Sequence, residues 1–346
     1  MQLSLSVLDQ STIVSGRTAA DALRETVALA PIVEAAGYHR YWLAEHHNTP
    51  SHAGSAPEIL ITAVLGATKT IRVGSAGVML PHYSALKVAE QFRVIEALYP
   101  NRADLGLGRA PGSDGITAYA LNPHAFQHGA AQQGADQFPT QVNDLLHWLG
   151  GGLPDTHPLR MVRATPDIST QPQVWILGSS DYGAQLAAHF GLPYCFADFI
   201  SERGGDAVCA LYRERFRPSP YLAAPLCAVA VYALAADTEA AAFRLARGRE
   251  LFRVRRARGE FLPLATPEEA DAYPFTPEEE ARSAAWRRRA LLGAPETVAA
   301  RLAETAARHG ADEVAILTPC HDFAARARSY QLIAEATKSV VLEAAE

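Results

Sequence analysis

Cysteine is scarce in this sequence. Only Cys195, Cys209, Cys227 and Cys320 occur, widely spaced and without a Cys-x-x-Cys pair. That spacing excludes the usual zinc and dithiol motifs, and the expectation is buried free thiols in a reducing cytoplasm. Long apolar runs are missing too: the longest, Pro225 to Ala236, is too short to span a bilayer and reads as a buried strand. Met1 to Gln10 lacks the basic and apolar regions of a signal peptide. Positive charge is in deficit, with 31 Lys and Arg against 37 Asp and Glu, which argues against a nucleic-acid-binding field. No Lys or Arg at all stands between 110 and 159. Nor is there a glycine-rich first turn: the first strand candidate runs into Asp9-Gln10-Ser11-Thr12. The nearest match to a dinucleotide fingerprint, Gly106-Leu107-Gly108-Arg109-Ala110-Pro111, has proline where the third glycine belongs and lies at the fourth strand, so an open nucleotide-binding sheet is disfavoured.

What is present is a regular alternation over 346 residues, 49% of them hydrophobic. Short β-rich runs cover 3–9, 39–45, 71–80, 103–108, 173–178, 194–199, 226–234 and 313–318. Between them lie longer amphipathic runs at 20–36, 57–68, 85–98, 137–149, 181–190, 206–216, 238–258, 295–309 and 322–337. Eight strands, each followed by helix, predict an α/β chain folded as a (β/α)8 TIM barrel, one domain over 1–346. Two stretches exceed the normal connection length: a loop insertion at about 110–172, and one at about 259–290 where Pro263, Pro267, Pro274 and Pro277 break any long helix. Before the second runs Arg244 to Arg258, with seven arginines in fifteen residues. Its reading is either a solvated helix face or part of a lid over the barrel mouth.

In such a barrel the chemistry sits at the C-terminal strand ends. The second strand ends Glu45-His46-His47-Asn48, a carboxylate beside two histidines suited to proton transfer. Adjacent histidines on extended chain point to different sides, so no metal site is expected there. The third strand, Val73-Gly74-Ser75-Ala76-Gly77-Val78, is weakened by small residues unless something flat packs on it or the barrel layer needs them. The fourth ends in Arg109, whose guanidinium matches a phosphate, or which pairs with Asp104 or Asp114. The fifth ends Gly178-Ser179-Ser180 at a helix start, offering free N–H groups and hydroxyls to an anion, or an ordinary cap. A hydrolase nucleophile elbow fails there for want of the closing glycine.

Four of these pieces in order, Ala44-Glu45-His46-His47, Gly74-Ser75-Ala76-Gly77, Leu105-Gly106-Leu107-Gly108-Arg109 and Leu177-Gly178-Ser179-Ser180, together with Ala187-Ala188-His189-Phe190-Gly191-Leu192-Pro193, carry a resemblance. The chain resembles the bacterial-luciferase-like flavin monooxygenases, nearly end to end and most weakly over 115–172 and 240–290. The resemblance implies FMN bound preferentially in its reduced form. It implies a catalytic His46, a cis peptide between Ala76 and Gly77 beneath the flavin ring, and Arg109, Gly178, Ser179 and Ser180 about the flavin phosphate; Glu45, next to His46 in the sequence, is the residue expected to orient it. It departs from the pattern in having Ser179 where luciferase has glutamate, and in lacking a second arginine downstream of Arg109; phosphate is then held with less charge, or Arg160 or Arg163 folds back to it.

The activity so implied is oxygen activation by reduced FMN supplied by a separate flavin reductase. The substrate is expected to be an aldehyde or other small apolar compound near Tyr83, Phe199 and the second insertion. Two rivals remain: a deazaflavin (F420)-dependent dehydrogenase or reductase on the same fold, and a flavin-storage protein without turnover. Relatives commonly dimerise through the helices after strands two and three, where Ala63, Gly66 and Ala67 permit close approach. A cytoplasmic homodimer contacting neither nucleic acid nor membrane is expected.

Overall fold

The computed structural model describes residues 3–110, 114–123, 137–201 and 204–343. Its strands are β1 (Ser4–Asp9), β2 (Arg40–Leu43), β3 (Arg72–Ser75), β4 (Val78–Met79), β5 (Ala103–Gly108), β6 (Gln173–Gly178), β7 (Tyr194–Ala197), β8 (Cys227–Ala235), β9 (Leu291–Gly293) and β10 (Glu313–Leu317). Eight of them, β1, β2, β3, β5, β6, β7, β8 and β10, pair in parallel, and β10 closes the ring by pairing with both β8 and β1. This is the expected (β/α)8 barrel. The helices are α1 (Ala19–Ala36), α2 (Pro57–Ala67), α3 (Ala85–Leu98), α4 (Gly115–Leu121), α5 (Phe138–Leu149), α6 (Asp181–Phe190), α7 (Gly205–Arg215), α8 (Glu239–Ala257), α9 (Pro267–Asp271), α10 (Pro277–Arg289), α11 (Pro295–His309) and α12 (Phe323–Glu343).

Period-two alternation divides every strand between two cores. Val7, Tyr41, Leu43, Val73, Leu105, Ile176, Phe196, Val229 and Ile316 face the helices. Leu8, Trp42, Trp175, Cys195, Ala228, Ala230, Ala315 and Leu317 fill the barrel itself. Trp42 and Trp175 meet edge to face inside it, centroids 5.0 Å apart. All four cysteines are buried and free. No described helix is long and apolar enough to cross a membrane.

Beneath the tryptophans the barrel floor is ionic. Arg40 donates to Asp104 at 2.7 Å and to Glu313 at 3.0 Å, while Arg72 takes the other Asp104 oxygen at 2.6 Å. Trp42 Nε1 and the Ser6 hydroxyl complete the shells of Asp104 and Glu313. Burial alone would lower the Arg40 pKa, but the two carboxylates reverse it and push it above its usual value.

The second insertion departs from its sequence reading. Pro267 and Pro277 do not stop helices; they start them, each at the first helical position behind a Thr–Glu capping box (Thr266 with Glu269, Thr276 with Glu279). The arginines of α8 form the seat for these two helices. Arg244 holds Glu268 at 2.5 Å, Arg247 reaches Asp271 at 3.2 Å and Glu280 at 3.3 Å, and Arg258 holds Glu279. Leu251, Ala265 and Ala270 pack beneath, with Tyr273 and Phe275 against them. The insertion is tied to the loop after β1 by Leu264 N–H to Ile13 C=O and Ser15 N–H to Leu264 C=O, 2.9 and 2.8 Å. That loop lies on the C-terminal face, so the insertion covers part of the barrel mouth.

Candidate active site at the barrel mouth

At the end of β2 the chain separates its two histidines. Glu45, buried, accepts from Tyr83 Oη at 2.6 Å and from the Met79 backbone N–H at 3.0 Å, and it pairs with His47 Nε2 at 2.8 Å. Glu45 therefore orients His47, not His46, which corrects the expected pairing. Beyond Leu43, where β2 ends, the His46 N–H bonds the Gly54 carbonyl at 2.8 Å and its ring lies on the side of His52, away from Glu45 and His47. His46 instead stacks on His52, centroids 4.5 Å apart and planes 17° apart. Its Nδ1 is sealed from solvent and has no hydrogen-bond partner. Burial, then Arg256, pulls the His46 pKa down to about 4, and burial with His46, Arg249 and Arg256 holds that of His52 well below its usual value. Both rings are neutral at physiological pH. His46 can accept a proton but does not arrive carrying one.

The small residues of the third strand serve two purposes. A Cβ on Gly74 would lie 2.3 Å from the Asp104 carbonyl oxygen, and one on Gly106 2.1 Å from that of Ser75. These glycines let β3 and β5 close on each other, as a barrel layer requires. Past them the strand breaks at Ala76–Gly77, whose peptide is cis. Ala76 and Gly77 are only half-buried. Ala76 joins the inward cluster with Leu177 and Phe199, and a Cβ on Gly77 would lie 2.6 Å from the Gly106 carbonyl oxygen, so this pair puts little side chain at the mouth.

Beside it, at the ends of β5 and β6, lies the anion end. Arg109 is exposed, and neither carboxylate considered for it takes it up: Asp104 is committed to Arg40 and Arg72, and Asp114 caps α4 and bonds Asn48. Its guanidinium lies 3.9 Å over the ring of Tyr182, the second residue of α6. Ser180 is the N-cap of that helix, yet its hydroxyl makes no capping bond. Tyr194 Oη steadies the turn, reaching the Ser180 carbonyl at 3.2 Å and that of Gly178 at 3.4 Å. The structure thus brings a guanidinium, an uncommitted serine and a helix start into one place. Arg163 does not fold back to this end: it bonds the Gly151 carbonyl at 2.7 Å, beyond the far end of α5. Residues 111–113 and 124–136, part of the first insertion, lie outside the described residues.

Three residues at the mouth escape sequence reading. His52 sits in an irregular loop with no pattern to mark it. Arg249 and Arg256 are two of seven arginines, and only their placement sets them apart: residues 249, 252 and 256 lie along one face of α8. Phe252 meets His52 edge to face at 6.0 Å. Among the described residues no group of three or more His, Cys, Asp or Glu side chains is placed to hold a metal ion.

The model for "Luciferase-like monooxygenase" matches residues 1–313. A Bacillus subtilis protein, YwcH, is 44% identical over 96% of this chain and 99% of its own length. The N-acetyl-S-alkylcysteine monooxygenase of the same organism is 36% identical, covering 96% and 98%. The solved structure of apo-MsnO8 superposes with a TM-score of 0.87 at 35% identity, over 97% of this chain and 98% of that one.

Proposed function

The chain belongs to the luciferase-like monooxygenase family, flavin-associated oxidoreductases, and from that premise we propose that it uses reduced FMN, delivered by a separate reductase, to insert oxygen into a small organic substrate. The observation that carries the reading is the pairing, on one barrel face, of a bare backbone wall at Ala76–Gly77 with the Arg109–Ser180 anion end. These residues fit the group. The wall suits a flat ring, and Arg109, Ser179, Ser180 and the N–H groups opening α6 suit its phosphate. Bound there, reduced FMN supplies electrons to O2, chemistry a protein side chain cannot.

The rest is done by the chain. Glu45 fixes His47, Tyr83 and the Met79 amide into one rigid corner. His46, neutral, takes up a proton at its unpartnered Nδ1. Phe252 packs on His52, which in turn stacks on His46. F420 on the same fold remains the second reading for the cofactor; the monooxygenase relatives favour FMN. The acylated thioether amino acids named by the 36%-identical relative are the first substrates to assay.

The test is rapid mixing of the FMNH2-loaded protein with oxygenated buffer. Bound flavin should reoxidise in more than one phase and more slowly than free flavin, with His46→Ala changing the phases. Reoxidation identical to that of free flavin would defeat the proposal.

A homodimer belongs to the same reading. Ala63, Gly66 and Ala67 on α2 face solvent, not the barrel. Beside them stand exposed apolar residues, Ile59 at 68% and Leu98 at 60%. The four buried thiols support a reducing, cytoplasmic setting.

A further inference from the structure

Next to the mouth, at the ends of β7 and β8, lies a cavity of about 440 Å3, within the range of small-molecule sites. Two of its lining groups are unsatisfied. The hydroxyl of Tyr232, a residue only 6% exposed, has no hydrogen-bond partner. Arg249, a half-buried residue, has its Nε sealed from solvent and also without one; its guanidinium lies 4.9 Å over the ring of Phe252 and meets no carboxylate among the described residues. Buried polar atoms are nearly always paired. Two such groups lining one cavity are therefore placed for something that is not part of the chain.

We propose that Arg249 and Tyr232 form the subsite that binds a carboxylate of the substrate, so that the molecule oxygenated is an organic acid and not an aldehyde. One guanidinium edge and one phenol O–H supply the donors that two carboxylate oxygens require. The phenol is a dependable donor, because burial raises its pKa. The guanidinium is unopposed: burial lowers its pKa to about 10, still leaving it charged at neutral pH. Two other charges of the wall have partners within the chain. Asp198 lies 3.6 Å from His309, and Arg301 donates to the carbonyls of residues 288, 289 and 290.

The cavity also points towards the flavin wall. Phe199 lines it and packs in the inward cluster with Ala76 and Leu177. A molecule anchored by its acid at Arg249 extends past Phe199 towards Ala76. That this anion belongs to the substrate rests on the reading above, in which the flavin and its phosphate occupy the Ala76–Arg109 side.

Calorimetric and thermal-shift titrations of the full chain test this, with acetate, benzoate, N-acetyl-S-methylcysteine, its methyl ester and inorganic phosphate, each up to 50 mM. At least one carboxylate should bind, N-acetyl-S-methylcysteine should bind more tightly than its ester, and Arg249→Met should weaken the acids about 10- to 100-fold while leaving the ester unchanged. Tyr232→Phe, which keeps the ring, should weaken them by less. Without ligand, Arg249→Met should melt at the wild-type temperature or higher, because it removes a half-buried charge that no carboxylate pairs and keeps an apolar chain over Phe252. Equal binding of acid and ester, no carboxylate binding, undiminished acid binding in Arg249→Met, or a clear loss of thermal stability in the empty variant would each overturn the proposal. So would phosphate bound in competition with FMN and lost in Arg249→Met, which would make this the flavin's phosphate site. Reduced FMN is titrated separately; if it fails to bind while acids still depend on Arg249, the cofactor reading falls and the anion subsite stands.

Discussion

The two ends of the barrel treat an arginine in opposite ways. On the floor, Arg40 lies between Asp104 and Glu313, and its pKa is driven up. At the mouth, Arg249 has no carboxylate, and its pKa is driven down. The same contrast holds for the other polar groups. The floor's Ser6, Trp42 and Arg72 are all engaged, whereas His46 Nδ1, the Tyr232 hydroxyl and the Ser180 side chain lack the partners their positions call for. A satisfied network holds a fold together; an unsatisfied one is reserved for a ligand and costs stability until the ligand arrives.

Breaking the floor should have the largest effect. Arg40→Met leaves the buried Glu313 without a cation and Asp104 with Arg72 alone, and should cost about 3–5 kcal/mol in denaturant unfolding, while Arg249→Met costs none. A floor variant as stable as the wild type would erase the contrast. An effect of middle size should appear on acidification. His46 and His52 are held neutral in the fold, His46 with a pKa of about 4, whereas both titrate near 6.5 when unfolded. Below that value the unfolded chain gains protons that the fold refuses, so stability present above pH 6.5 is lost as pH falls towards 4. Melting temperature against pH should show this limb, and His52→Gln should make it shallower; an unchanged limb would remove the histidine pair as its source. The smallest effect belongs to the exposed clamp of the insertion. Arg244→Ala should cost no more than about 1 kcal/mol, because its partners Glu268 and Asp271 are solvated.

Much of this was legible in the sequence because it follows from period. The strands of the barrel and nine of its helices follow from alternation and amphipathic spacing. The pairing of Glu45 with His47 was not legible, because β2 ends at Leu43 and the loop beyond it sets where these side chains go. The helices α9 and α10 were hidden by their own prolines, which read as breakers unless the Thr–Glu boxes around them are noticed. β9 has three residues and forms only because β8 is there to pair with it. Arg249 could not be told from Arg244 by sequence, since burial alone separates them, and burial is a property of the folded chain.

The account stands or falls on the anion end and the bare wall acting together. The direct measurement is anaerobic titration of the wild type and Arg109→Ala with reduced and oxidised FMN. Tighter binding of the reduced form, weakened about 10- to 100-fold in Arg109→Ala without a change in melting temperature, is the predicted result. Absence of binding, or binding indifferent to Arg109, would contradict it.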